Sequence, residues 1–423
     1  LSLEAGKVEL KKPTGNLRVW IMVILFLAYM FAFFDRSNVS VLIADGGFTD
    51  ALGITADKSA QGLLLTAFLL FYGLTCFFIG PVVERFGTRR ALAYGLLSWA
   101  ILMAVLGSTS MMAIFLVCRA LLGIGESVLG PSAAKLIKTW FPVHERAKAN
   151  GAWFIGLMFS QVAAVPLISW WVTLTGWRGS FYILALLGII PVVITFMFVY
   201  DHPAKHPKIA KEELEYITAG TSAEQQNTTK AVVSFEFLKN SSFWLIVTMY
   251  CASNAGFWGL TGWLPTYLKA TLGFTWAQMG GWGAVPALCG VAAVMGFAPV
   301  MDRLNRRAAF VLLSFLGFIA ALYVTIVTTS SIVAVVAICF AYSFISVSTV
   351  AIWTMLQNLV QSNQVASATG VLNGTAYVFA AFVPYIIGVL YNATSSLSAG
   401  FYFLIALMAM SIVAAYPLCK QHL

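Results

Sequence analysis

Twelve apolar runs, each long enough to cross a bilayer as a helix, divide this chain of 423 residues. Inside lipid a segment must satisfy its own backbone N–H and C=O groups, and a helix does so within a single run. Hydrophobic residues make up 60% of the chain and charged residues 10%, where a soluble protein carries roughly a quarter charged. The expected class is all-α: a polytopic membrane protein with twelve transmembrane helices. Between the sixth and seventh runs lies a mostly polar stretch with Lys205, Lys208, Lys211, Glu212, Glu213 and Glu215. The predicted plan is a segment 1–18, a six-helix bundle 19–200, a linker 201–241, a second six-helix bundle 242–418 and a tail 419–423. The first run lacks a small-residue cleavage site and reads as a retained span.

The net charge of +9 does not indicate nucleic-acid binding, because the basic residues are scattered between apolar runs and form no stripe. Their distribution reports orientation. With the N-terminus inside, inner segments hold 20 of the 25 Lys and Arg, and outer segments hold only Lys58, Arg178 and Lys269. Both termini and the central linker are therefore expected in the cytoplasm. The six cysteines show neither a CxxC pair nor metal-ligand spacing, so they read as buried thiols, with no metal or cofactor implied.

Two basic residues, Arg36 and Arg119, remain inside the membrane, joined by two of the sixteen acids, Asp35 and Glu126. An ionisable group at membrane depth is costly and normally faces a protein interior or wet cavity on a transport path. Arg119 and Glu126 are seven residues apart, almost two helical turns, so one face of the fourth span carries both, about 10 Å apart along the axis. At about 1.5 Å per residue, Asp35 and Arg36 lie about 25 Å in from the cytoplasm, and Arg119 about 12 Å below the outer surface. Asp35 and Arg119 are expected to be neighbours, with Arg36 and a deeper Glu126 on nearby levels of one cavity.

Such a set suits proton-coupled movement of an anion. Burial favours a protonated acid and a nearby arginine an ionised one, so proton occupancy changes when substrate alters the pairing. Asp35 and Glu126 are the proton-site candidates, and Arg36, whose planar fork matches a carboxylate, is the substrate anchor. The competing reading is structural: ion pairs that hold spans one and four together, or, for Asp35 and Arg119, an outer latch. No nucleophile, base and orienter converge, so an enzyme is not expected.

The halves echo each other at their inner turns. Gly80-Pro-Val-Val-Glu84-Arg85-Phe-Gly87-Thr-Arg89-Arg90 joins spans two and three, and Pro299-Val-Met-Asp302-Arg303-Leu-Asn-Arg306-Arg307 joins spans eight and nine. Repeated bundles of this kind rock about a central site, which makes Glu84, Arg85, Arg89, Asp302 and Arg303 candidate gating residues.

The first of these turns resembles the signature loop of the major facilitator superfamily, and Arg119-x-x-x-Gly123-x-Gly125 its fourth-span motif. Phe34-Asp35-Arg36-Ser37-Asn38, Gly-x-Gly-Glu at 123–126 and Thr139-Trp140-Phe141-Pro142-x-x-Glu145-Arg146 are similar to the anion:cation symporter branch. That branch includes bacterial sugar-acid/proton symporters and, more distantly, vesicular glutamate transporters and sialin. The resemblance implies the two-bundle facilitator fold, proton coupling at Asp35 and Glu126, pairing of Arg119 with Asp35 and substrate anchoring by Arg36. By position it also implies substrate contacts at Tyr72, Trp353 and Asn373. As packing, the two aromatics would serve equally well, and Asn373 would bridge helices.

The sequence departs from the sugar-acid pattern at Phe33, where those members carry a hydrogen-bonding Tyr, at Leu157, and at Val350, Ala351 and Ile352, which offer no hydroxyls. These changes favour a less hydroxylated, even aromatic, carboxylate, while sugar acids stay open. The expected function is import of a small organic anion with protons by a monomer in the lipid bilayer of a bacterial inner membrane. A sodium-coupled or uncoupled carrier, a receptor and a channel are the alternatives.

Overall fold

A computed structural model describes residues 17–225, 236–304, 306–361 and 364–420. Every regular element in it is helical. The first half contains α1 (Leu17–Leu42), α2 (Gly46–Ala51), α3 (Lys58–Cys76), α4 (Ile79–Phe86), α5 (Thr88–Ser108), α6 (Met112–Glu126), α7 (Leu129–Trp140) and α8 (Arg146–Phe198). After the linker helix α9 (Lys211–Gln225) come α10 (Ser241–Thr266), α11 (Trp276–Leu304), α12 (Arg307–Val327), α13 (Ser331–Leu359), α14 (Val365–Thr394) and α15 (Leu397–Lys420).

Ten of the described helical stretches are long and apolar enough to span a membrane, with α6 and α7 together forming one of them. Helix α8 supplies two rods, because Gly176 at φ 71° and ψ 177° breaks it. Only glycine adopts that conformation cheaply. With α10, the twelve rods match the twelve apolar runs. Their outward faces carry side chains such as Leu186 and Val413, 67% and 73% exposed, as a lipid-facing surface requires.

Two elements differ from the sequence expectation. The fourth run is not one helix: at its centre the Ser127 N–H and hydroxyl both turn back to the Ile124 carbonyl, at 3.3 and 2.7 Å, so α6 ends on Glu126. The linker is also more than a polar tether. Glu213 of α9 is fully buried and accepts the Leu17 and Arg18 N–H groups, both at 3.3 Å. A carboxylate there satisfies the free amides at the start of α1 and complements its dipole.

Among the described residues the halves meet chiefly where α3 packs on α14, α1 on α10 and α8 on α11. Pro265 has no N–H to give the carbonyl four residues back, that of Thr261. Ser40 of α1 fills this role, its hydroxyl donating to the Thr261 and Gly262 carbonyls at 2.9 and 2.8 Å. Thr66 of α3 likewise donates to the Ala381 carbonyl of α14 at 2.6 Å. At the Lys58 end of α3, a Cβ on Gly62 would collide with the Pro384 backbone, and one on Gly388 with the Lys58 backbone. The same seam is fastened by Asn392, which accepts the Lys58 N–H at 2.9 Å and donates to Asp57 Oδ1 at 2.8 Å.

Candidate functional site

Consecutive helical residues leave the axis about 100° apart, so Asp35 and Arg36 face different partners. Asp35 Oδ2 accepts Arg119 Nη1–H at 2.9 Å. The Arg119 Nε–H donates to the Leu64 carbonyl at 3.2 Å, and its guanidinium lies 4.7 Å from the Phe68 ring centre. Both members of the pair are buried, 0% and 1% exposed. Gly123, one turn beyond Arg119, lies where a Cβ would press on the Phe68 and Tyr72 backbone, so α6 approaches α3 closely.

Arg36 turns instead to Glu126. Its Nε–H donates to Glu126 Oε2 at 3.1 Å, and its Nη2 lies 3.0 Å from the same oxygen in an ion pair. Its third nitrogen, Nη1, is buried and finds no acceptor among the described residues, and Glu126 Oε1 likewise has no donor there. Sequence depths put these two charges on nearby levels, and the structure brings them into contact.

The guanidinium is boxed by aromatic faces, with ring centres at 4.5 Å for Phe33, 4.7 Å for Tyr72, 5.0 Å for Phe68 and 5.6 Å for Trp258. Helical spacing explains the box: Phe33 is three residues before Arg36, and Phe68 and Tyr72 are four apart on one face of α3. Trp258 comes from α10, and Tyr377 of α14 extends the wall, 4.7 Å from the Tyr72 ring and 6.0 Å from that of Trp258. A cavity of about 70 Å³ lies against Phe33, Arg36, Phe68, Gln161, Trp258 and Tyr342.

Trp353 and Asn373 do not reach Arg36 directly. They converge on Tyr250: Trp353 Nε1–H donates to its hydroxyl at 3.2 Å, and that hydroxyl donates to Asn373 Oδ1 at 3.2 Å. Tyr250 and Trp258 are residues the sequence reading passed over. Their signal was the stripe Tyr250-Asn254-Trp258 at four-residue spacing on α10. Gln161, one turn after Leu157, was also missed, and it accepts the Tyr342 hydroxyl at 2.8 Å across the halves.

At the two echoing turns, Glu84 and Arg85 are exposed on α4, and Arg303 is exposed near the end of α11. The Asp302 side chain lies outside the described residues. Arg89 is anchored: its N–H donates to Asp201 Oδ1 at 2.9 Å, Nη2 donates to the Phe196 carbonyl at 2.7 Å, and its guanidinium covers the Tyr200 ring at 4.1 Å. The acid that caps the start of α5 is thus Asp201, which the sequence reading placed in the linker.

Comparison with known proteins fits this architecture. The chain is 26% identical over 405 residues to a probable L-galactonate transporter of Escherichia coli, covering 92% of this chain and 87% of that protein. It is 29% identical over 326 residues to the probable galactarate/D-glucarate transporter GudP of the same organism, covering 73% and 70%. A probable sulfoacetate transporter, SauU of Cupriavidus necator, is 25% identical over 407 residues, covering 94% and 93%. Among solved structures, a bacterial homologue of the human lysosomal transporter Spinster, inward-facing and occupied, superposes with a TM-score of 0.75 at 17% identity, over 97% of this chain and 98% of that one. The Major Facilitator Superfamily profile matches residues 25–384. This helical protein, built around four buried charges, belongs to the Major Facilitator Superfamily and is a membrane transporter, not an enzyme.

Proposed function

We propose that this protein carries a small organic anion together with protons, by alternating exposure of a central site between the bundles 19–200 and 242–418. The observation that carries the reading is the divided Arg36 guanidinium: two nitrogens hold Glu126, and the third is unpartnered in a buried aromatic box. An arriving carboxylate takes the free N–H and competes for the others. Glu126 then loses its counter-charge in surroundings where an unpaired ion is costly, and takes up a proton. Anion and proton thus enter the occluded site as a near-neutral set, which lowers the cost of crossing membrane depth.

Asp35, paired with Arg119 one layer away, is the second coupling acid. Tyr72 faces the substrate, while Trp353 and Asn373 position Tyr250 on the opposite wall. Glu84, Arg85, Arg89, Asp302 and Arg303 belong to the inner turns that move as the halves rock. The relatives named as carriers of sugar acids and sulfoacetate support an organic acid as cargo. The abundance of basic residues on one side supports cytoplasmic termini in a bacterial plasma membrane, with the monomer as the working unit.

The test is uptake into proteoliposomes with proton and sodium gradients imposed separately. Concentrative uptake driven by the proton gradient alone is expected. Uptake driven only by sodium, or equilibration without concentration, would overturn the coupling.

A further inference from the structure

We infer that the carboxylate this site takes has a flat, apolar body, of the aromatic monocarboxylate class, in preference to a polyhydroxylated chain. This rests on the reading of Arg36 as the anion anchor and goes beyond it to the rest of the substrate. A sugar acid needs partners for several hydroxyls, because polar groups left unpaired in a buried site weaken binding severely. Around Arg36 stand the rings of Phe33, Phe68, Tyr72 and Trp258, with the Tyr377 hydroxyl also within reach of its guanidinium.

Behind the cavity lining, polar side chains of α10, α13 and α14 are engaged in hydrogen bonds of their own. Tyr250 is held between Trp353 and Asn373. Ser253 bonds to Ser348 and Thr349 at 3.1 and 3.0 Å. Tyr342 is bonded to Gln161, and Asn254 Nδ2 to the Tyr250 carbonyl at 3.0 Å. A polyol would have to break these bonds to replace its own water. A planar ring needs only to slide between existing rings, in the offset or edge-on contacts that aromatic pairs favour. Among the fully buried atoms of the cavity-lining residues, Arg36 Nη1 is a donor without a partner among the described residues, and it suits one carboxylate.

Purified protein is titrated with benzoate, phenylacetate, L-galactonate and D-glucarate, following thermal stabilisation and displacement of the tightest binder. At least one aromatic acid is expected to half-saturate at a concentration tenfold or more below either sugar acid. Trp258→Ala should weaken that aromatic acid roughly three- to tenfold, while Trp258→Phe restores most of it. Melting of the unliganded variants confirms that they fold. Equal or tighter binding of the sugar acids overturns the inference but leaves Arg36 as anchor, provided Arg36→Lys weakens them. Binding of neither class, or aromatic binding indifferent to Trp258, overturns it too. In the first of these cases the anchor reading falls as well.

Discussion

Arg36 holds Glu126 through Nε and Nη2, at 3.1 and 3.0 Å, while its Nη1 reaches no acceptor among the described residues. One cation is therefore shared between a resident acid and whatever enters the box. On the proposed reading, the anion and the ionised Glu126 carboxylate compete for the same positive charge, so anion binding goes together with protonation of Glu126.

Glu126→Gln removes the acid's charge and keeps its shape. Concentrative uptake under a proton gradient should fall to the background of empty vesicles. Exchange of labelled for unlabelled substrate across the membrane should persist, because Arg36 is then free of its competitor. A variant that still concentrates substrate would show that the coupling proton sits elsewhere.

Arg36→Lys retains a positive charge but replaces the five-donor fork with a compact ammonium. Substrate affinity should drop at least tenfold, about 1.4 kcal/mol, measured by titration of the purified protein. Affinity within twofold of the parent would place the anchor at another residue.

The Asp35–Arg119 pair is the more enclosed of the two, so removing one partner strands a buried charge. Arg119→Met alone should cost about 3–5 kcal/mol, whereas Asp35→Asn combined with Arg119→Met should recover much of that loss. The comparison is made by thermal unfolding of the two variants in the same detergent. A double variant no more stable than the single one would mean that the two side chains contribute independently.

The outer seam offers a test of closure. Asn392→Ala deletes the two hydrogen bonds to Asp57 and Lys58, and Gly62→Ala pushes a methyl group into the Pro384 backbone. Either should raise the labelling rate, from the outer side, of a cysteine placed at buried Leu264 on the cavity wall. The latch has a pH dependence of predictable sign. Hydrogen bonds from the Ser59 hydroxyl, first, and the Asn392 amide hold the Asp57 carboxyl below the usual carboxylate range. Its contribution to closure is complete above the ordinary carboxylate pKa and is lost as pH falls through the lowered value. Labelling at position 264 should therefore be flat from neutral to mildly acidic pH and rise only below that range.

The sequence showed the spans and the buried ions because both are matters of length and cost: about twenty apolar residues cross a bilayer, and charges within them are rare. Depth arithmetic found Asp35 beside Arg119 because depth is linear in residue number. It could not give the Arg36–Glu126 contact, since rotation of each helix about its axis is set by packing, and since α6 ends at Glu126 where the apolar run simply continues. Trp258 and Tyr377 stayed hidden for a different reason. In a chain with 13 Trp and 15 Tyr, a ring lining a cavity looks the same as one facing lipid. The capping contact of Asp201 stayed hidden because it sits at the border of a polar stretch, and nothing local announces that it accepts an N–H at the start of α5.

The contact between α3 and α14 near Lys58 is made where Gly62 lies on the Pro384 backbone and Gly388 on that of Lys58. Main chain resting on main chain has no rotamers to reset. Were the halves to rock as proposed, two such plates would part and rejoin in a single register, with no search among rotamers where main chain meets main chain.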